Sequence, residues 1–331
     1  MVRVAYHDLL DALRRALDTL GFDARRAGLC ARLIADANRD GVASHGLNLL
    51  PRVVTMIRAG IVDVTAEPVR IAAAGALERW SGNRGPGNLN AYACMARAIV
   101  LAQEHGVGCV ALADTNHWMR GGTYGWQAAD AGAIGLCWSN TMPNLPPWGA
   151  TKPLVGNNPL VIAVPRADGH LVLDMAISQF SFGALAAYRT RGERLPVPGG
   201  FDENGALTDD AAAIESTGRL LPIGFWKGSG LAIVLDVIAA LLAGGRATHE
   251  ITARPEKETG LSQVFIAFDP MWCAGSANTG LADRIVASLS TESGDEQVRY
   301  PGQRTRALRE IHLRDGVPVD PSAWQFVQSM A

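Results

Sequence analysis

Two short, unbroken apolar runs, 107–113 and 134–139, constrain this chain more than any other feature. Each has the length and continuity of a buried strand. Between them lie a polar stretch, 114–122, and a helical pattern over 123–131. A strand, a helix and a second strand in that order point to an α/β fold, and the simplest such fold has a parallel sheet. Further strands are expected at 69–72, 160–164, 171–176 and 264–268. Residues 80–88 read as a glycine-rich loop, and helices are expected at about 88–104, 182–191 and 279–290. The stretch 195–222, rich in Pro, Gly, Asp and Thr, reads as an excursion over the surface.

The chain ends follow another period. Leu9, Leu10, Leu13, Leu17 and Leu20 recur at helical spacing over 5–20, and Gly21 closes that helix. Helices over 23–40 and 47–59 follow, the last with Pro51 near its start, where proline is tolerated. The tail carries two more, near 304–312 and 321–330. The expected architecture is an α/β domain, 67–292, with a helical domain built from both chain ends, 1–66 and 293–331. The 331 residues suffice for two domains.

Charge and cysteine usage remove several function classes. Only 19% of residues are charged and the net charge is −2, so nothing demands a nucleic-acid partner. The apolar stretch 231–243 is short and contains Asp236, which makes it a buried helix rather than a membrane span. Residues 1–7 lack the apolar core of a signal peptide. The five cysteines are odd in number, scattered and without metal-ligand spacing. They read as small buried hydrophobes in a reducing compartment, with no metal site.

The chemistry-bearing candidates sit at the edges of these elements. Ser44-His45-Gly46 lies where one helical pattern stops and the next begins, between Gly41 and Gly46. Such a histidine either faces a cleft as a titratable group or caps the helix before it. Asn116-His117-Trp118 follows a buried strand, the usual place for ligands in α/β folds, though a hydrogen-bonded structural histidine fits as well. Asp174 interrupts the strand at 171–176, so it is either an edge residue facing water or a buried carboxylate with a cationic partner, such as a protonated histidine. Lys227-Gly228-Ser229-Gly230 at a helix start would cradle an anion, or else is a glycine-rich helix entry with a solvated lysine. No Gly-x-Gly-x-x-Gly fingerprint, Walker loop or Gly-x-Ser-x-Gly elbow is present.

Taken together, several stretches resemble the type-2 malate/L-lactate dehydrogenase family over nearly the whole chain. They are Ser44-His45-Gly46, Asn116-His117-Trp118-Met119-Arg120-Gly121-Gly122, Pro146-Pro147-Trp148-Gly149, Gly156-Asn157-Asn158-Pro159, Asp174-Met175-Ala176, Trp226-Lys227-Gly228-Ser229-Gly230 and Pro301-Gly302. The resemblance implies a non-Rossmann cofactor domain with a mostly antiparallel sheet, which accounts for the missing fingerprint. It also implies NAD or NADP as cofactor, a small 2-oxo acid or sugar acid of the 2,3-diketo-L-gulonate type as substrate, and a cytoplasmic homodimer. By motif, His45 is the proton donor. Asp174 would keep His45 charged, or orient it, by charge pairing, and His117 would hold a substrate oxygen. The cofactor segments fall on His170, Leu171, Val172, Leu173, Asp174, Met175 and Ala176, on Trp226 and Lys227, and on Gly302, Gln303 and Arg304. Ser44, Arg52 and Arg120 are the substrate-binding candidates, because the arginine that relatives carry four residues after the histidine is Leu49 here. The same family includes reductases of cyclic 2-imino acids. A non-catalytic binder of a nucleotide or sugar acid is the reading from another class.

Overall fold

The computed structural model describes residues 2–274, 280–291 and 298–331. Helices α1 (Tyr6–Asp18), α2 (Ala24–Arg39) and α3 (Leu50–Arg58) form where the leucine period requires. The side chain of Asp23 caps α2 by accepting the Arg26 N–H at 2.9 Å. Leu9, Leu13 and Leu17 are fully buried, each worth ~1.5–3 kcal/mol in area removed from water. The same core takes in Val317, Val319 and Val327 from the other chain end. There, α11 (Gln303–Asp315), β11 (Val317–Val319) and α12 (Pro321–Gln328) follow one another. β11 pairs antiparallel with β1 (Val2–Val4), and so ties the two ends together. Strands of three residues show no period, and the sequence reading missed both.

Among the described residues, seven strands make the central sheet. In chain order they are β2 (Val69–Ala74), β3 (Leu77–Ser81), β4 (Val107–Thr115), β5 (Ile134–Ser139), β6 (Leu160–Val164), β7 (Leu171–Met175) and β10 (Leu261–Phe268). Their spatial order is β2-β3-β4-β10-β5-β6-β7. The parallel sheet suggested by the strand–helix–strand pattern does not form: β3 and β4 pair in parallel, and every other pairing is antiparallel. The reason lies in β10. β4 and β5 do run the same way, since both are antiparallel to β10, but β10 arrives from far along the chain and inserts between them.

Both sheet faces are covered. α4 (Gly87–His105) and α5 (Gly122–Asp130) cover one, over Val110, Leu112, Phe265 and Val172. The other face meets α8 (Trp226–Ala243), α6 (Phe182–Arg191) and α7 (Ala211–Thr217) through Ala111, Trp138 and Val264. Residues 110, 111 and 112 alternate between the two cores, as a strand's two-residue period dictates.

Three expectations need correction. The stretch 195–222 is not a bare surface excursion: it holds a small hairpin, β8 (Gly200–Phe201) with β9 (Leu207–Thr208), and α7, and it buries Leu195, Ile214, Leu220 and Leu221. The glycine-rich loop at 80–88 yields its first two residues to β3. α8 starts at Trp226 rather than at 231, and it is not buried all round. Ala232, Leu235 and Ala239 pack on the sheet, while Ile233, Val234, Val237 and Leu241 face outward, Leu241 at 75% exposure. Asp236 within it accepts from Asn140 and from the Thr248 N–H. By length and composition alone α8 is long and apolar enough to cross a membrane. After β10 comes α9 (Pro270–Ala274), and the helix expected over about 279–290 is α10 (Leu281–Thr291), with residue 279 outside the described residues.

Candidate active site

Ser44 and His45 stand on a single 3-10 turn, Ala43–His45, followed by a second, Leu47–Leu49, that feeds α3. Gly46 lets this turn lie against α2. A Cβ there would sit 2.2 Å from Asn38 Oδ1, and that oxygen accepts the Leu47 N–H at 2.7 Å. From the other side Gly183, in the first turn of α6, approaches Ser44: its Cβ would come within 3.2 Å of the Ser44 Cβ. His45 is half-buried between them. Ser44 Oγ lies 3.0 Å from His45 Nδ1. A hydroxyl can donate to a neutral ring or accept from a protonated one, so this contact survives either state and leaves Nε2 for chemistry.

His117 comes from the segment after β4. Asn116 Nδ2 anchors that segment on the carbonyls of Arg84 and Gly85 at 2.8 and 2.9 Å. Met119 is left-handed, φ 63°, and its N–H donates to His117 Nδ1 at 3.0 Å. A ring nitrogen that accepts carries no proton, so the neutral ring holds its hydrogen on Nε2 and is a donor there. Burial above all pushes His117 down to about 4; Glu258 opposes this, while His45 and Arg52 add to it. His117 therefore stays neutral through the physiological range. The two imidazoles face each other, ring centres 6.0 Å apart and 19° from parallel.

Asp174 lies on β7, the edge strand of the sheet, with its side chain exposed. Of the two readings of this carboxylate, the edge residue facing water is the one realised. Its Oδ2 accepts the Gly122 N–H at 2.8 Å, where α5 begins. A side chain at 122 would collide with it, since a Cβ would lie 2.7 Å from Oδ2. A carboxylate at a helix N-terminus is favourably placed. Asp174 does favour the charged form of His45, but burial is the larger influence and Arg120 opposes, so His45 sits below its ordinary 6.5. In the unliganded protein, then, desolvation outweighs the pull of Asp174 on His45.

The two candidate arginines each pair with a buried carboxylate. Arg52 Nη2 pairs with Glu258 Oε2 at 2.6 Å, and its side chain keeps 27% exposure. Glu258, 2% exposed, also accepts the Met142 N–H at 2.9 Å. Arg120, 5% exposed, pairs with Asp40 Oδ2 at 2.5 Å. Leu49 packs half-buried against the helical core. Glu258 and Asp40 escaped the sequence reading because nothing marked them: one ends the charged run 256–258, and the other follows Arg39 at a helix end like a capping residue.

The three expected cofactor segments line one edge. The Val172 N–H donates to the Pro301 carbonyl at 2.9 Å, and Gly302, left-handed at φ 96°, lies so close to His170 that a Cβ would be 2.9 Å from its carbonyl oxygen. Gln303 and Arg304 form the first turn of α11. The His170 ring is taken up by the Arg166 N–H and by Asp130, each at 3.0 Å. Beyond Met175 and Ala176, the Ile223 N–H donates to the Ile177 carbonyl and Ser178 bridges to Pro222, which brings the start of α8 alongside. Trp226, 65% exposed, and Lys227 stand at its first turn, entered through left-handed Gly224 and Phe225. Gly228 and Ser229, however, are not an open cradle. A Cβ at 228 would lie 2.2 Å from the Ile223 carbonyl, and Ser229 Oγ accepts the Trp148 N–H at 2.9 Å.

These residues suit an extended dinucleotide. An edge strand offers backbone groups, and Lys227 and Trp226 offer a cation and an aromatic face. Among the described residues no group of three His, Cys, Asp or Glu could hold a metal.

Comparison with known proteins is consistent with this geometry. A family profile described as malate/L-lactate dehydrogenase matches residues 4–328. The 2,3-diketo-L-gulonate reductases of Citrobacter koseri and Shigella boydii are 43% identical to the chain, covering 99% of it and all of theirs. Among solved structures, delta1-piperideine-2-carboxylate reductase from Pseudomonas syringae superposes with a TM-score of 0.90 at 30% identity over the full length of both chains. Sulfolactate dehydrogenase from Methanocaldococcus jannaschii shares the fold, with a TM-score of 0.92 at 24% identity over 99% of this chain and 96% of its own.

Proposed function

Since the chain belongs to the malate/L-lactate dehydrogenase family and is an oxidoreductase, we propose that it is an NAD(P)H-dependent reductase of 2-oxo acids, with His45 as proton donor. The observation that carries this is the stacking of His45 on His117, with Asp174 on the edge strand that all three expected cofactor segments line. When bound there, along 170–176, 226–227 and 302–304, the reduced cofactor supplies the hydride.

The chain's own groups do the rest. His117 donates from Nε2 to a substrate oxygen without taking a charge. His45, as imidazolium, gives its proton to the oxygen of the reduced carbonyl, a role worth ~10²–10⁴-fold. An anionic substrate beside His45 offsets the effect of burial and raises its proton affinity, so the acid is charged when it is needed. Arg52 holds the carboxylate: at 27% exposure it keeps donors free beyond its bond to Glu258, whereas Arg120 is enclosed. The helical part, 1–66 with 293–331, carries the acid and the 302–304 cofactor segment, and 67–292 carries the other two cofactor segments; the second boundary falls outside the described residues.

The assembly that fits is a cytoplasmic homodimer. Its support is the outward apolar row on α8 and the buried, unpaired Cys30, Cys94 and Cys137. Sedimentation as a monomer at micromolar concentration would remove the dimer.

A panel of 2,3-diketo-L-gulonate, pyruvate and a cyclic 2-imino acid, each with NADH and with NADPH, tests the substrate class; the imino acid enters because of the piperideine-carboxylate reductase likeness. The expected result is fastest turnover with the diketo acid. Leu49→Arg adds a cation one turn beyond His45, and a charge-assisted hydrogen bond worth ~1.5–3 kcal/mol would raise kcat/KM on that acid about tenfold or more. No gain means that the enzyme serves a different acid.

A further inference from the structure

One buried carboxylate ties together the three stretches that the proposed reaction uses. Asp40 ends α2 and is five residues from His45. Its Oδ2 accepts from Arg120 Nη1 at 2.5 Å, and Arg120 joins the His117 segment to Gly122, the residue that binds Asp174. The same carboxylate takes Arg309 in a two-pronged contact, Nε at 2.9 Å and Nη2 at 2.8 Å, and Arg309 stands on α11, the helix that opens with Gln303 and Arg304. Arg39 adds a third guanidinium, its Nε 2.8 Å from Oδ1. Three guanidinium groups thus share one carboxylate that is 3% exposed, on the floor of a cleft between α2, α4, α5 and α11. They hold its carboxyl well below the usual carboxylate range, against burial, so the hub stays charged into acid.

We propose that Asp40 is a positioning residue for His45: through Arg120 and Arg309 it fixes the His45 turn, the His117 segment and the cofactor helix relative to one another. The inference rests on the reading of His45 as the acid. Charge-assisted contacts of this geometry are directional, and removing their common acceptor takes the carboxylate from Arg120, beside His45, and from Arg309, while Arg39 keeps Asp36 at 2.7 Å. A pair on the surface would rearrange; a 5% exposed guanidinium cannot. The charged and titratable groups that face His45 are Asp174 from β7, Arg120 and His117 from the segment after β4; Ser44 is its hydrogen-bonded neighbour.

The test titrates the His45 ring by NMR in the unliganded protein, with His45→Ala identifying the signal. Asp40→Asn, close in shape but uncharged, frees the Arg120 charge to act on the imidazole. Its midpoint is expected to fall by half a pH unit or more, and kcat for reduction at least tenfold. Arg309→Met leaves Asp40 with two cations, so its midpoint is expected to rise; it decides the matter if Asp40→Asn does not fold. A merely structural role lowers the melting temperature of both variants and leaves the midpoint where it lies in the parent, and that result overturns the proposal. If instead His45→Ala keeps its turnover, the assignment of the acid fails, whatever Asp40 does.

Discussion

His45→Ala lowers kcat for reduction of a 2-oxo acid by ~10²–10⁴-fold, the range for losing a positioned general acid, and leaves the NADH dissociation constant unchanged. The residue is half-buried on its own turn, away from the 170–176, 226–227 and 302–304 segments in sequence, so its removal takes out the proton and not the cofactor edge. The pH profile carries the same signature. His45 acts while protonated, and burial sets its proton affinity below the ordinary value of 6.5. In the wild type, kcat/KM for reduction is therefore flat at low pH and falls tenfold per unit above a midpoint below 6.5. In the oxidation direction the neutral ring is the active form, so that profile rises through the same midpoint and then levels. His117 cannot produce this limb, because it titrates near 4. Rates at a series of pH values for wild type and variant check both statements; turnover near the wild-type level in His45→Ala would sink the assignment.

The second large effect is steric. Gly87 opens α4 directly beneath the His117 segment, and a Cβ there would lie 2.1 Å from the Asn116 carbonyl oxygen and 2.4 Å from that of His117. Both obstacles are backbone, and Asn116 is pinned by its two bonds to Arg84 and Gly85. The segment cannot yield cheaply. Gly87→Ala is expected to destabilise the fold by ~2–3 kcal/mol, the upper part of the usual overpacking range, and to lower kcat as His117 moves away from His45. Urea unfolding gives the first quantity and steady-state rates the second. Wild-type values for both would mean that α4 and the His117 segment are not in contact.

Period and punctuation made most of the helical core legible. The leucines of α1, the Asp23 cap and Pro51 at the head of α3 each act through local chemistry that the chain spells out. The direction of the strands was not legible from pattern. The run of β4, α5 and β5 looks like a parallel unit, and only β10, more than a hundred residues further on, decides otherwise. The site divides the same way. His45 and His117 are conspicuous polar residues at element ends. What sets their charge, namely burial, Arg120 and the buried Glu258, depends on which segments meet in space. The three arginines on Asp40 come from α2, the segment after β4 and α11, and no local signal links them.

The proposed activity is tested most directly by following the transferred hydrogen. Wild-type protein is given NADH carrying deuterium on the nicotinamide carbon that donates, together with 2,3-diketo-L-gulonate, and the product is read by mass spectrometry and NMR. The expected result is one deuterium per product molecule, bound to the carbon that was the carbonyl, with the hydroxyl hydrogen drawn from solvent. NADH consumed without deuterium on that carbon, or no consumption with any 2-oxo acid and either nucleotide, would contradict the proposal that this site reduces a 2-oxo acid by hydride transfer.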